Sequence, residues 1–274
     1  MSRDDSIYQQ LRSHLAYLKL AAAAEALPGQ LEAARGNGLS HTEFLEQLLR
    51  IEVEATEQRR WEGRLRFANL PAPWRIEDFD FTAQPTIDQA LIRELGTCSY
   101  LDDATNLLFI GPPGVGKTML AIALGHAAID AGERVYYTTA ADLAARCRKA
   151  ALEGRWEPTM RFFNGPGVLI IDELGYLPMP AQDAAALFQV ISRRYLKGSV
   201  ILTTNRGVAS WGDIFSDTTI AAAMLDRLLH KSVMINIDGD SYRLRSHQAQ
   251  ARKQPTERRL RLASTSTTQG GEFR

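Results

Sequence analysis

The sequence predicts an α/β protein, a parallel five-stranded sheet flanked by helices, preceded by a small all-α N-terminal region. Three observations predict it. Five short apolar segments, rich in β-branched residues or leucine, recur between residues 105 and 238 with helical stretches between them. The first of the five runs straight into a glycine-rich loop and then a helix. Residues 1–69 carry helical periodicity and no alternating strand pattern.

The N-terminal elements follow from apolar spacing. Leu11, Leu15 and Leu18 fall at i, i+4 and i+7, one face of a helix, and AAAAEAL (21–27) continues it with strong helix formers. Gly36, Asn37 and Gly38 break the pattern. Ser40 with Glu43 three residues on spells a capping box. The helix it opens carries Phe44, Leu45, Leu48 and Leu49 on its apolar side and runs on through 54–66. This region reads either as a subdomain that packs on its neighbour or as a module that docks a partner or DNA. PAPWRIEDFDF (71–81) interrupts the helical pattern with two prolines and several aromatics and marks a boundary. The expected plan is a helical domain over 1–69, a linker and entry helix over 70–104, the α/β module over 105–245, and a basic, disordered tail over 246–274.

Within the module the expected strands are Asn106–Ile110, Arg134–Thr138, Val168–Ile171, Val200–Thr203 and Val233–Ile237. Residues 243–261 then hold seven Lys/Arg against Glu257. Such a run reads as a solvated tail or as a DNA contact.

Composition narrows the classes. Hydrophobic residues make up 45% of 274, enough for a core, which excludes wholesale disorder. Lys+Arg and Asp+Glu are both 32, so the chain is not a globally basic nucleic-acid coat and any such contact needs a local patch. Cys98 and Cys147 form no CxxC or Cys/His cluster, which argues against a disulfide framework or zinc site and suits a reducing cytoplasm. The polar opening MSRDDSIYQQ gives no expectation of a signal peptide, and no apolar run reaches the length of a membrane span.

The chemistry sits at three strand ends. Gly111-Pro112-Pro113-Gly114-Val115-Gly116-Lys117-Thr118 matches G-x-x-x-x-G-K-[ST] between a strand and a helix that starts at Met119. Its backbone N–H groups cradle phosphates, Lys117 reaches the terminal ones, and Thr118 supplies a Mg²⁺ ligand. Val168-Leu-Ile-Ile-Asp172-Glu173 delivers two acids to the carboxyl edge of the sheet, where ligands of open α/β folds bind. Asp172 is the expected Mg²⁺ partner and Glu173 the base that orients water, a pairing that favours hydrolysis over transfer to an acceptor, as in a small-molecule kinase. Val200-Ile-Leu-Thr-Thr-Asn205 ends in a polar pair, and Asn205 gains a role beside the γ-phosphate only in the company of the other two motifs. Arg227, in AAAMLDRLLH, reads on the residues alone as a solvated helix charge; the alternative is a finger projecting into a neighbouring subunit's site.

Taken together, GPPGVGKT, VLIIDELGYLP, ILTTNRG, AAAMLDRLLH and INIDGDSYRLR resemble the IstB-type transposition helper ATPases of bacterial insertion sequences, which belong with the DnaC-type helicase loaders in the AAA+ class. The resemblance runs from the N-terminal helices to about Arg245. It implies an AAA+ P-loop module with a reduced or absent C-terminal lid. It implies ATP and Mg²⁺ as cofactors, Asn205 as sensor, and Arg227 as a finger acting in trans within a homo-oligomer. It further implies assembly on double-stranded DNA and recruitment of the element's transposase. The family's initiator-type insertion corresponds to roughly 142–163, where Arg146, Arg148, Lys149 and Arg155 are the candidate DNA contacts. That stretch also holds Arg161 against Asp142, Glu153 and Glu157, a modest positive balance that suits a solvated helix face nearly as well. Two rivals remain open: a helicase loader on single-stranded DNA, and a static nucleotide-bound scaffold. The adenine pocket is expected near Trp74–Phe81. Arg243 and Arg245 are further candidates for nucleotide or backbone contacts.

Overall fold

The computed structural model describes residues 3–176, 178–215, 217–239 and 241–242. The expected basic tail, Arg243, Arg245 and the question of a reduced lid fall outside those residues. The chain divides into two compact units, Met1–Arg66 and Phe67–Arg274.

The first unit is built from α1 (Arg3–Tyr17), α2 (Ala21–Asn37) and the long α3 (His41–Ala68), within which the division falls. Leu15, Ala23, Leu27 and Leu48 form its buried core. The capping box is present: Glu43 accepts from the Ser40 N–H at 2.8 Å, and Ser40 Oγ accepts from the Glu43 N–H at 3.3 Å. Gly38 ends α2 in the left-handed conformation. One expectation is corrected. Ala21–Leu27 does not continue the first helix, because Lys19 turns left-handed at φ 61°. The Leu20 N–H then bonds back to the Leu15 carbonyl and the Lys19 N–H to that of Ala16, a Schellman closure made without the usual glycine. Leu18 consequently leaves the apolar face and is 61% exposed. A buried carboxylate joins two of these helices. Glu52 Oε2 accepts from the Ala23 N–H at 2.9 Å, serving the start of α2, while Oε1 pairs with Arg59 at 2.8 Å.

The second unit is a five-stranded sheet: β1 (Asn106–Ile110), β2 (Val135–Thr139), β3 (Val168–Leu174), β4 (Ser199–Thr204) and β5 (Ser232–Asn236). All pairs are parallel, in the order β2-β3-β4-β1-β5. The five expected strands are these, shifted by a residue or so at their ends. The exception is β3, which extends to take in both acids. Leu107, Leu108, Phe109 and Val168–Ile171 are fully buried, as a sheet covered on both faces requires. Among the described residues seven helices accompany the sheet: α4 (Gln89–Gly96), α5 (Lys117–Asp130), α6 (Ala140–Leu152), α7 (Trp156–Asn164), α8 (Ala181–Arg194), α9 (Trp211–Phe215) and α10 (Thr218–Leu229). No described helix is long and apolar enough to cross a membrane.

At the amino end of the sheet, Arg194 closes α8 with its side chain 2% exposed. Its guanidinium donates to the carbonyls of Phe163, Pro166, Gly167 and Ser199 at 2.9–3.0 Å. One side chain thus ties the end of α7 and the starts of β3 and β4 to α8.

Candidate nucleotide-binding site

The carboxyl ends of β1, β3 and β4 converge beside the loop that joins β1 to α5. That loop turns through Gly114 at φ +83° and Gly116 at φ +100°, values that L side chains rarely adopt. A Cβ on Gly116 would also stand 2.5 Å from Phe79 Cε2. Lys117 is 5% exposed, and its ammonium donates to the Gly111 and Pro112 carbonyls at 2.7 and 2.8 Å. The cation is therefore held over the mouth of the loop by the loop's own carbonyls.

A cavity of about 360 Å³ opens above it. Its floor is Gly114, Val115, Gly116, Lys117, Thr118 and Met119, while Gly111, Pro112 and Pro113 form the entry arm and do not line it. The linker aromatics Trp74 and Phe79, from the stretch where the base is expected, make one wall, joined by Asp78, Asp80 and Gln84. Glu173 and Tyr176 line another part, and Tyr242 a third. The last of these comes from a segment that follows β5 across the loop. The Ile237 N–H bonds the Ile110 carbonyl at 2.8 Å, and the Tyr242 N–H bonds the Gly114 carbonyl at 3.0 Å.

Asp172 is 1% exposed and receives three hydroxyls. Thr118 Oγ1 donates to Oδ1 at 3.0 Å, Thr203 Oγ1 also donates to Oδ1, and Tyr137 OH donates to Oδ2 at 2.7 Å. Burial, then the Asp172 carboxylate, pushes the Tyr137 phenol well up, so it keeps its proton and remains a donor. Glu173 is exposed toward the cavity, with a left-handed backbone at φ 62°. Asn205 sits just past β4 with its Oδ1 buried and without a hydrogen-bond partner. Asn205 does not itself line the cavity, and its open acceptor leaves room for a donor from water or a ligand.

These residues fit a Mg²⁺–nucleotide. Thr118 and Asp172 offer the hard oxygen ligands that Mg²⁺ prefers. Among the described residues no group of three or more His, Cys, Asp or Glu could hold a metal, so the ion would complete its shell with phosphates and water.

Arg227 is not on this cavity's wall. Its guanidinium lies 4.9 Å from the Phe188 ring centre and donates to the Ala223 carbonyl at 2.9 Å. The structure does not gather the four basic residues into one free patch. Arg148 pairs with the buried Asp183 carboxylate, and Lys149 and Arg155 flank Glu153 at 3.8 and 3.3 Å. Arg146 instead stacks 3.7 Å from the Phe162 ring centre and donates to Tyr136 OH. Tyr137, Thr203, Tyr176 and Tyr242 have no role assigned by the sequence, although the last three lie within ILTTNRG, VLIIDELGYLP and INIDGDSYRLR. They are polar or aromatic residues on strands and loops, with no spacing signal of their own.

The fold and the loop-and-acid arrangement define a P-loop module of the AAA+ class. Its fold is similar to that of the AMPPCP-bound DnaA from Aquifex aeolicus, with a TM-score of 0.53 at 20% identity over 68% of this chain and 56% of that one. Within the class the chain belongs to the IstB-like ATP binding protein family, whose model matches residues 13–251. It is 44% identical over 246 residues to an insertion sequence IS5376 ATP-binding protein of Geobacillus stearothermophilus, covering 90% of this chain and 98% of the relative. It is also 44% identical over 236 residues to an insertion sequence IS21 ATP-binding protein of Pseudomonas aeruginosa, covering 86% and 89%.

Proposed function

We propose that this chain is an ATP-hydrolysing switch that assembles on duplex DNA and recruits or stimulates the transposase of its insertion sequence, in the cytoplasm. The observation that supports the hydrolytic part is a cavity lined by Thr118 and Glu173, with Asp172 hydrogen-bonded to Thr118 and Asn205 at the end of the neighbouring strand, its Oδ1 without a partner. Lys117 leaves the Gly111 and Pro112 carbonyls to bind the terminal phosphates. A Mg²⁺ ion, when bound through Thr118 and Asp172, supplies charge neutralisation at the phosphates. Glu173 orients a water and accepts its proton, and Asn205 Oδ1 accepts the water's second hydrogen bond. Arg227, which does not line its own chain's cavity, serves the site of the next subunit in a homo-oligomer, where its charge balances that of the transferring phosphoryl.

Of the basic residues, Arg146 is favoured as a DNA-phosphate contact, because among the described residues no carboxylate pairs with it and Phe162 holds its plane. Arg148, Lys149 and Arg155 would first have to leave their acidic partners. Similarity to the insertion sequence ATP-binding proteins of Geobacillus stearothermophilus and Pseudomonas aeruginosa supports the transposition reading over a helicase loader.

The deciding experiment is binding to matched duplex and single-stranded DNA, each with ATP and with ADP, at one stated salt concentration. ATP-dependent preference for duplex is the expected result. Preference for the single strand would point to helicase loading, and indifference to nucleotide would make the protein a static scaffold.

A further inference from the structure

We propose that Thr203 is a positioning residue that holds both acids of the site through one hydroxyl. The inference rests on the hydrolytic reading above and gives a role to a residue to which the motifs assign none. Along most of their length β3 and β4 pair residue for residue, Ile171 opposite Leu202. The register then shifts, and Leu174 stands opposite Thr204. Between these pairs β3 supplies two residues, Asp172 and Glu173, and β4 supplies one, Thr203. This is a bulge of two against one, the device that re-aims side chains at the edge of a sheet.

The bulge matters because neighbours on a regular strand face opposite sides of the sheet. A regular β3 would send one acid away from the phosphate loop. Here Asp172 stays buried at 1% exposure while Glu173 opens to the cavity. The change of direction is made at Glu173, whose φ of 62° is a conformation that non-glycine residues adopt only when held. What holds it is Thr203, itself 1% exposed. Its Oγ1 accepts from the Glu173 N–H at 3.0 Å and donates to Asp172 Oδ1. The direction is fixed by inventory: an amide N–H only donates, so the single hydroxyl proton goes to the carboxylate. Thr203 thus replaces the ladder bond that the bulge removes from Glu173 and pins the carboxylate beside it. Asn205 lies two residues on along the same strand end, so a displacement of that end moves the anchor of both acids together.

The test uses Thr203→Val, which keeps shape and loses the hydroxyl, and Thr203→Ser, which keeps the hydroxyl. ATP affinity, turnover and amide hydrogen exchange are measured on the full chain. Thr203→Val should bind ATP within about threefold of the parent and turn over roughly 100-fold more slowly, the scale of a misplaced general base. Exchange at the Glu173 amide should quicken at least about tenfold while the Val168–Ile171 amides hold. Thr203→Ser should restore both turnover and protection. Crossed with Glu173→Gln, Thr203→Val should cost at least about tenfold less than it does in the parent, the remainder coming through Asp172, because residues that act through one another are not additive.

Normal turnover in Thr203→Val, equal loss in Thr203→Ser, or an undiminished effect in the Glu173→Gln background would each overturn the assignment. A parent chain that binds ATP without hydrolysing it would remove the hydrolytic reading instead. The exchange at Glu173 would then still decide whether Thr203 holds the bulge, with unchanged protection in Thr203→Val counting against it.

Discussion

Arg193 and Arg194 are adjacent arginines at the end of one helix, and the structure assigns them opposite weights. Arg194→Met keeps the length of the side chain and removes its donors. Four carbonyls lose a charged partner at 2.9–3.0 Å, in a place where 2% exposure leaves little water to replace it. Hydrogen bonds to charged groups contribute about 1.5–3 kcal/mol each, but the four do not add. The Gly167 carbonyl keeps its bond from the Ser199 N–H at 3.0 Å, and the desolvation of the guanidinium, whose pKa burial pulls down to about 10, is recovered. A net loss of about 3–5 kcal/mol remains, the range seen when a buried polar set loses one member. For a unit of this size that lowers the melting midpoint by roughly 10 °C. Arg193 pairs with Glu157 at 2.7 and 2.8 Å, but the two side chains are 35% and 60% exposed. Solvent screens such an exposed pair and it contributes little, so Arg193→Met should move the midpoint by about a degree or two. Scanning calorimetry of both variants checks the contrast. Equal shifts, or an Arg194→Met midpoint within about 2 °C of the parent, would refute the argument that buried carbonyl clamping and not charge pairing secures this corner.

Lys117→Ala should remain folded by circular dichroism and lose ATP affinity by roughly 100-fold, read with a fluorescent nucleotide; normal affinity would remove the cradle assignment. Glu173→Gln should bind ATP as the parent does and turn it over about 10²–10⁴-fold more slowly, trapping the DNA-bound assembly. Arg227→Ala should lose turnover yet recover part of it when mixed with Glu173→Gln, since each variant supplies what the other's interface lacks; no recovery at any ratio counts against action in trans. Glu52→Gln should destabilise the N-terminal unit by about 1–2 kcal/mol at neutral pH. The Ala23 N–H holds the Glu52 carboxyl below its ordinary 4.5, so the unfolded chain takes up the proton first on acidification. The difference between parent and variant should therefore be full above pH 4.5 and close as pH falls through the folded value, measured by urea unfolding at several pH values.

What the sequence disclosed and what it withheld divide along a physical line. The strands, the phosphate loop and the acid pair are local patterns, in which periodicity or fixed spacing carries the information, and the structure puts them where their patterns say. The missed break at Lys19 is local too, but its left-handed turn is made by a lysine, so the glycine that usually announces such a closure is not there to be read. Arg194, Tyr137 and Thr203 are another matter. Each acts on groups that are neighbours only once the sheet is assembled: Tyr137 and Thr203 meet Asp172 from flanking strands, 35 and 31 residues away in the chain. Their residue types are ordinary for their elements, a basic residue closing a helix and a tyrosine and a threonine in strands, so nothing local distinguishes them from any other. The same holds for the bulge at Glu173. Two acids after four apolar residues spell a strand end, yet the extension of β3 through both acids, with the backbone turned left-handed at the second, depends on the single β4 residue across from them. In this module the groups with reactive chemistry are written in the chain's own order, and the geometry that makes them act together is written across strands.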